Sequence, residues 1–246
     1  MRKLYLLATL AAILFSLPAT AQFGKTLGRL KSQADEVLGG GGPLSEEKIG
    51  EGLKEALNQG VEKAVTTLSA EDGYLASPYK IFLPEQAQTM IEKVSRVPGL
   101  GNVEQDLTER VNKAAELAAK EAAPIFVDAI KGLTIRDAMD LLMGDQDAAT
   151  RYLESSTSGS LTDAFRPIIR SSLDEVNANE IWNRVVTAHN KLPFVTKAEP
   201  ELDLYVTERA LEGLFGLVEV KEGELRQNPA LRNTDLLKKV FARQDK

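Results

Sequence analysis

Apolar residues recur at helical spacing along most of the chain. Between residues 46 and 68 they return every three or four positions, behind Ser45 and two acidic residues that are typical of a helix start. The same spacing predicts further helices at about residues 84–94, 102–122, 124–130, 135–143, 147–153, 161–176, 179–192, 201–227 and 234–241. The pattern therefore indicates about nine to ten helices, with a break near Gly216 or Gly223 as an option in the long segment 201–227.

Alternation of apolar and polar residues, which is typical of strands, is almost absent. The nearest example is Ile81-Phe82-Leu83, inside a turn-rich connection over residues 69–83, and it is too short to seed a sheet. No repeat with the period of a solenoid is found. We therefore predict an all-α, single-domain multi-helix bundle with little or no β structure over residues 44–246.

Several helix ends carry local signals. Thr134 followed by Asp137 is typical of a capping box, and Gly144 is expected to end that helix. Ser160 with Asp163 predicts a separate helix start, and Pro167 should kink the helix that follows. Asp147 is expected to cap the helix that begins at Ala148, and Asn233 or Thr234 is expected to cap the last helix.

The first residues have the pattern of an export signal. Met1-Arg2-Lys3 is basic, residues 4–17 are mainly apolar, and Ala19-Thr20-Ala21 is a small-residue cleavage triplet. A membrane anchor is the alternative, but the apolar run is shorter than the roughly 20 residues that span a bilayer. We predict a signal peptide at residues 1–21 and a periplasmic or secreted protein.

Residues 22–43 are predicted to form an amphipathic arm followed by a glycine-rich hinge. Gly39 to Gly42 and Pro43 break any helix and give a flexible joint. A self-docked or disordered leader is the alternative to a partner-binding arm. The candidate partner-binding residues share one helical face: Phe23, Leu27, Leu30, Val37 and Leu38.

Composition excludes many kinds of site. The 246 residues include no cysteine and one histidine, and the formal net charge is -6. The absence of cysteine excludes disulfides, thiolate zinc sites, iron–sulfur clusters and cysteine nucleophiles. The acidic balance argues against non-specific binding of nucleic acid.

The remaining candidate chemistry is weak. His189 lies in an apolar stripe with Trp182, Val185 and Leu192, so we interpret it as a packed core residue rather than a catalytic base. Oxygen ligands suit calcium or magnesium, but the acidic cluster near Gly144 lacks a full calcium-loop pattern and gives only weak metal candidates. These candidates are Asp137, Asp140, Asp145 and Asp147.

The C-terminal region has a basic bias. We interpret its cations as complements to the negative ends of helix dipoles, with an acidic partner surface as the alternative. The residues concerned are Arg226, Arg232, Lys238, Lys239, Arg243 and Lys246.

A series of motifs occurs in a recognisable order. It comprises Gly52-Leu-Lys-Glu-Ala-Leu57, Pro124-Ile-Phe126, Asp147-Ala-Ala-Thr150, Phe165-Arg-Pro-Ile168, Tyr205-Val-Thr207, Ala210-Leu-Glu-Gly213 and Asn228-Pro229. Over about residues 44–241 this order resembles the bacterial family known as domain of unknown function 4197. The resemblance implies a helical, secreted or periplasmic protein, and it implies no activity, substrate, cofactor or catalytic residue.

Together these observations favour a non-catalytic binding or interaction module of the cell envelope, without a cofactor. Its partner would be a protein or an apolar ligand. Two alternatives remain open: a carboxylate-based hydrolase, and a carrier of a lipid-like ligand in a pocket between helices.

Overall fold

Nine α-helices account for most of the residues that the computed structural model describes, 44–197 and 202–242. No β-strand occurs in these ranges, which confirms the all-α prediction. The predicted signal peptide and arm lie outside the described residues. The helices are α1 (Glu46–Leu68), α2 (Glu85–Val94), α3 (Val103–Ala119), α4 (Ala122–Gly132), α5 (Ile135–Met143), α6 (Ala148–Glu175), α7 (Ala178–Asn190), α8 (Asp203–Gln227) and α9 (Asp235–Phe241), with a 3-10 turn at Pro229–Leu231.

The long helices α6 and α8 pack against each other at the centre. Helices α3, α4 and α7 cover α6, whereas α1 packs on α8 and also contacts α4, α5 and α9. Phe126 of α4 and Phe215 of α8 meet edge to face, with ring centroids 5.7 Å apart. Both rings are buried, so this contact joins the outer and central helices inside one core.

Local signals set several helix starts as predicted. The Ser45 hydroxyl accepts a hydrogen bond from the Lys48 backbone N–H, and the Thr234 hydroxyl accepts one from Leu237 N–H. Thr134 and Asp137 form the reciprocal capping box. Hydrogen bonds from the Thr134 hydroxyl and N–H lower the pKa of the Asp137 carboxyl.

The predicted division between residues 153 and 161 is wrong, because α6 runs without interruption from Ala148 to Glu175. Its serines and threonines do not cap a new helix there. Thr157 donates to the Leu153 carbonyl at 2.6 Å and Ser156 donates to the Tyr152 carbonyl at 2.8 Å, which are bonds within the same helix. The buried stripe continues through this region, so packing holds the helix together. The option of a break in α8 is likewise wrong, since that helix is continuous.

A buried ion pair joins three helix ends. The Glu222 carboxylate of α8 accepts hydrogen bonds from the backbone N–H groups of Ala149 and Thr150, at 3.1 and 2.7 Å, in the first turn of α6. Arg226, one turn later on α8, contacts Glu222 at 2.8 Å and donates to the Leu142 carbonyl at 3.0 Å, at the end of α5. The carboxylate thus meets a helix N-terminus and the guanidinium meets a helix C-terminus, as the helix dipoles favour.

This arrangement corrects part of the interpretation of the basic C-terminal region. Arg226 and Arg232 are buried rather than available to a partner. Arg232 donates to the Leu225 and Arg226 carbonyls at the end of α8, so its role as a complement to a helix C-terminus is confirmed. Lys238 and Lys239 are exposed on α9, whereas Arg243 and Lys246 lie outside the described residues.

Candidate functional site

The connection between α1 and α2, residues 69–84, is the longest non-helical stretch that the structure describes without a gap. Long connections of this kind inside a compact domain are uncommon and often carry function. We call it the 69–84 connection. Its backbone is held by side chains from α3 and α8.

Two tyrosines attach the connection to α8. Tyr74 is fully buried, and its hydroxyl donates to the Ala210 carbonyl at 2.8 Å. A side chain at Gly213 would bring its Cβ within 3.0 Å of the Tyr74 ring and 3.1 Å of Tyr79 Cβ. At Gly216 the same atom would lie 3.0 Å from the Tyr79 ring. The two glycines therefore form a glycine notch on α8 that admits the tyrosine rings.

Asn112 of α3 fixes the end of the connection. Its side-chain Oδ1 accepts a hydrogen bond from Ile81 N–H, and its Nδ2 donates to the Ile81 carbonyl, both at 2.8 Å. The same Nδ2 group lies 2.7 Å from the Thr108 carbonyl. A buried amide therefore satisfies both polar groups of Ile81, as a neighbouring strand would do.

The extended backbone at this point turns Phe82 outward. Ile81 and Leu83 are 2% and 3% exposed, whereas Phe82 is 60% exposed, as alternation along extended chain requires. The Phe82 carbonyl accepts a hydrogen bond of 2.7 Å from the Tyr205 hydroxyl of α8. Lys80 Nζ lies 5.4 Å from the centroid of the Phe82 ring, within cation–π range. Phe82 is thus an exposed aromatic on a backbone that its neighbours fix.

An open groove lies beside this ring, and we call it the Phe82 groove. Its other wall is the start of α3, including Asn102, Gln105 and Thr108. At Leu75 and Glu109 it meets a second, acidic groove. That second groove is lined by Glu71, Asp72, Asp106, Glu109 and Glu116 beside the cations Arg110 and Lys113.

Burial raises the pKa values of the three tyrosines of this region. For Tyr74 burial is the main cause, and the negative charge of Glu116 adds to it. For Tyr79 burial is followed by the charges of Glu219 and Glu224, and for Tyr205 burial outweighs the opposing effect of Arg209. All three phenols are therefore protonated at neutral pH, and Tyr74 and Tyr205 act as hydrogen-bond donors.

The weak metal candidates have other contacts. Asp137 belongs to the capping box, Asp140 lies 4.0 Å from Arg136, and Asp147 pairs with Arg151 at 3.2 Å. Asp145 is exposed. Within the described ranges, no group of three His, Cys, Asp or Glu side chains is arranged to hold a metal ion.

His189 is buried in the core with Trp182 and Val185, which confirms its interpretation as a packed residue. Its Nε2 lies 3.2 Å from the Thr196 carbonyl, so the ring ties α7 to the loop that follows it. Leu192, which the sequence placed in the same stripe, is instead exposed, because α7 ends at Asn190.

A small cavity lies between α1 and α8, next to Glu222. Its volume of about 20 Å³ suits about one water, whereas ligand pockets commonly have volumes of about 300–1,000 Å³. It therefore gives no support to the lipid-carrier alternative. Among the helices of the described residues, none is long and apolar enough to cross a membrane.

Asn112, Tyr74 and Tyr79 of this site were not singled out from the sequence, and Phe82 was noted only within the short triplet at residues 81–83. Two features of the sequence could have pointed to this site. One is Asn112, a polar residue on the apolar face of a helix, and the other is the alternation around Phe82. The five candidate residues of the arm lie outside the described part of the chain, so their role stays a prediction.

Several of the quoted motifs contribute residues to the contacts described above. Tyr205, Ala210 and Gly213 hold the 69–84 connection, and Thr150 donates hydrogen bonds to the Glu222 carboxylate. Searches of curated proteins and of solved structures gave no significant match. A family model matches residues 43–242, and the chain therefore belongs to the family described as protein of unknown function DUF4197.

Proposed function

We propose that this protein is an exported, non-catalytic binding module of the cell envelope, and that the Phe82 groove is its partner-binding site. The observation that supports the proposal is the exposed Phe82 ring on a backbone fixed by Asn112 and Tyr205. A rigid aromatic anchor binds with little loss of conformational entropy, because its position is set before the partner arrives.

Export belongs to the same proposal. The basic start, the apolar run and the small-residue triplet of residues 1–21 support cleavage after Ala21 and a periplasmic or secreted location. N-terminal sequencing of the protein recovered outside the cytoplasm should begin at Gln22. Retention of Met1 in that protein would contradict the export proposal.

Site-specific photocrosslinking tests the groove. Replacing Phe82 with a photoreactive phenylalanine analogue in the exported chain should give a discrete crosslinked species in the native envelope. The same analogue at Leu231, which is 39% exposed and remote in sequence from the groove, is the control. Equal crosslinking at both positions, or none at position 82, would contradict a partner site at Phe82.

The predicted arm is proposed as a second part of the binding surface. Its five candidate residues are Phe23, Leu27, Leu30, Val37 and Leu38. Deleting residues 22–42 should leave the helical domain folded and weaken the Phe82 crosslink. A melting temperature lower by more than about 8 °C would show that the arm belongs to the core instead.

The hydrolase alternative has its best location in the acidic groove that adjoins the Phe82 groove, where Asp106 and Glu109 line one wall. The buried carboxylate of Glu222 does not serve it, because backbone N–H groups, Thr150 and Arg226 occupy both its oxygens. A hydrolytic activity of the purified chain that Glu109→Gln abolishes would overturn the non-catalytic proposal.

A further inference from the structure

The Phe82 groove and the acidic groove beside it form one continuous surface, which we call the joined groove. Leu75 and Glu109 line both of its parts. On the α3 side the lining residues run from Asn102 to Glu116, over about four turns of helix. At about 1.5 Å per residue this wall is about 20 Å long, which is enough for about six residues of an extended peptide.

Negative charge dominates the joined groove. Its lining residues include six carboxylates and three cations, so the lining has an excess of three negative charges. The carboxylates are Glu71, Asp72, Glu104, Asp106, Glu109 and Glu116, and the cations are Lys80, Arg110 and Lys113. Lys113 pairs with the buried Glu116 at 3.3 Å, and leaving that pair out does not change the excess.

The two ends of the joined groove differ in character. At one end Lys80 Nζ lies 5.4 Å from the centroid of the exposed Phe82 ring, so this end repels a second cation but accepts an apolar side chain. At the other end the exposed lining is mainly acidic. Its exposed carboxylates are Glu71, Asp72, Asp106 and Glu109. The joined groove therefore offers an apolar contact and, beyond it, a region of negative charge.

We propose that the joined groove binds a cationic peptide segment of the partner, with an apolar side chain on Phe82 and lysine or arginine residues along the acidic end. This inference rests on the proposed function, because it names the chemistry of the partner at the same site. Opposite charges raise the rate of encounter and fix the register of the bound segment. Asp106 and Glu109 stand on a helix that packs on the core, so they are positioned before the partner arrives.

The same charges argue against other occupants. The phosphates of nucleic acid and of anionic lipid would be repelled by the acidic end. A metal ion alone is not favoured, because no group of three acidic or histidine side chains in the described part of the chain is arranged to hold one. A small organic cation such as spermidine has no apolar group for Phe82 and would use the acidic end alone.

A peptide titration tests the inference. The chain from residue 22 is titrated into a fluorescein-labelled peptide of about seven residues, in which one phenylalanine is followed by lysines separated by glycines, and binding is measured by fluorescence anisotropy. Binding should weaken as salt is raised. A peptide with glutamate in place of lysine should not bind. A peptide with alanine in place of phenylalanine should bind about tenfold more weakly, because a large apolar side chain is lost.

Two double variants with the same change of net charge locate the acidic end. Asp72→Asn with Glu109→Gln should weaken peptide binding about five- to tenfold at low salt, because two exposed carboxylates are removed. Glu51→Gln with Glu62→Gln is the control, since both residues are exposed on α1 and line neither part of the groove. The control should bind the peptide as the parent does. Unchanged helical circular dichroism shows that each variant is folded.

A second pair of variants locates the apolar end. Phe82→Ser should weaken peptide binding about tenfold. Phe194→Ser is its control, because Phe194 is fully exposed in the loop that follows α7 and lines neither part of the groove. The φ of Phe194 is 61°, in the left-handed region, where a bulky side chain is strained. The serine at this position should therefore leave both folding and peptide binding intact.

Four results would overturn the inference. They are no binding at up to about 1 mM peptide, equal binding of the glutamate peptide, no effect of the Asp72 and Glu109 changes, and displacement of the peptide by an equal concentration of spermidine.

The photocrosslink at position 82 separates this inference from the proposed function. Adding the lysine peptide to the isolated envelope before irradiation should abolish the crosslink. A discrete crosslink that persists would keep the partner site and show that its partner is not cationic. Absence of any crosslink without the peptide would overturn the proposed function, and this inference with it.

Discussion

Among the residues that the structure describes, two phenylalanines are exposed in loops, and their surroundings hold them in different ways. The backbone around Phe82 is fixed by the Asn112 amide, by the Tyr205 hydroxyl and by tyrosines seated in the glycine notch. The loop that carries Phe194 is tied to its helix by the His189–Thr196 contact, and its backbone at Phe194 is strained.

The difference separates two ways of presenting an aromatic ring. Phe82 is exposed because it lies on extended backbone that contacts with the core hold in place. The position of its ring is therefore set by the fold. Phe194 gains its exposure from a turn, at a local conformational cost. Changes near Phe82 should therefore affect global stability more strongly than changes at Phe194 do.

Removing the Asn112 amide should have the largest effect. Asn112→Ala leaves the buried N–H and carbonyl of Ile81 without partners, and each unsatisfied group costs about 1–3 kcal/mol. We expect a loss of about 2–4 kcal/mol in the free energy of unfolding, measured by urea denaturation. Hydrogen exchange of residues 80–83 should accelerate more than that of α6. A variant with the parent's stability would show that Asn112 does not fix the connection.

Alkaline pH should weaken the same region. Burial raises the pKa of the Tyr74 phenol, so this group stays protonated in the folded protein above the ordinary tyrosine value of about 10. A raised folded-state pKa means that the stabilisation is complete below about pH 10 and is lost as pH rises. The expected loss is at most about 1.4 kcal/mol per pH unit above 10 from Tyr74 alone. Absorbance at tyrosinate wavelengths should show one phenol that ionises only when helicity is lost, and ionisation of every phenol in the folded state would contradict this prediction.

His189 should stabilise the loop that follows α7 more than it stabilises the 69–84 connection. His189→Ala removes a buried ring that contacts the Thr196 carbonyl, and the resulting cavity should cost about 1–3 kcal/mol. Thermal melting measures this cost, and hydrogen exchange should show faster opening of residues 191–197 than of residues 80–83. A variant that melts as the parent does but loses a measurable function would make the core interpretation wrong.

Two glycines of α8 allow a matched pair of substitutions, one inside the glycine notch and one outside it. Gly213→Ala places a Cβ 3.0 Å from the Tyr74 ring, and overpacking of about 1–3 kcal/mol exceeds the helix propensity gain of about 0.5–1 kcal/mol. Gly223→Ala meets no atom within 4 Å, so that gain should remain. The two melting temperatures should move in opposite directions. A stabilised Gly213→Ala would show that the tyrosines are not seated against the helix.

The sequence predicted the features that depend on residues close to one another along the chain. The start of α1 at Ser45 and the capping box at Thr134 involve residues three positions apart, and apolar spacing located each helix because it reports the buried face. Ser160 misled the prediction, because a serine hydroxyl can cap a new helix or bond back within an existing one. The choice depends on the packing of α6 against other helices.

Contacts distant in sequence could not be predicted. Arg226 is buried because its partners include the Leu142 carbonyl, 84 residues away, and Asn112 meets Ile81 at a separation of 31 residues. Within the candidate site the sequence identified the extended triplet at Ile81 but not the amide that pairs with it. The exposure of Phe194 depends on where α7 ends, which the spacing placed two residues too late.

The smallest expected effect tests the backbone strain at Phe194. Asn tolerates a positive φ better than a large aromatic residue does, so Phe194→Asn should relieve part of the backbone cost without removing a buried contact. We expect the melting temperature to rise by about 1–4 °C, since a gain of 1 kcal/mol corresponds to about 2–4 °C in a domain of this size. A control at the other phenylalanine, Phe82→Asn, should give no such rise, since Phe82 does not have a positive φ and its backbone is already satisfied. If Phe194→Asn instead lowered the melting temperature, the ring would contribute to packing, and the contrast between a fold-determined Phe82 and a strained Phe194 would fail.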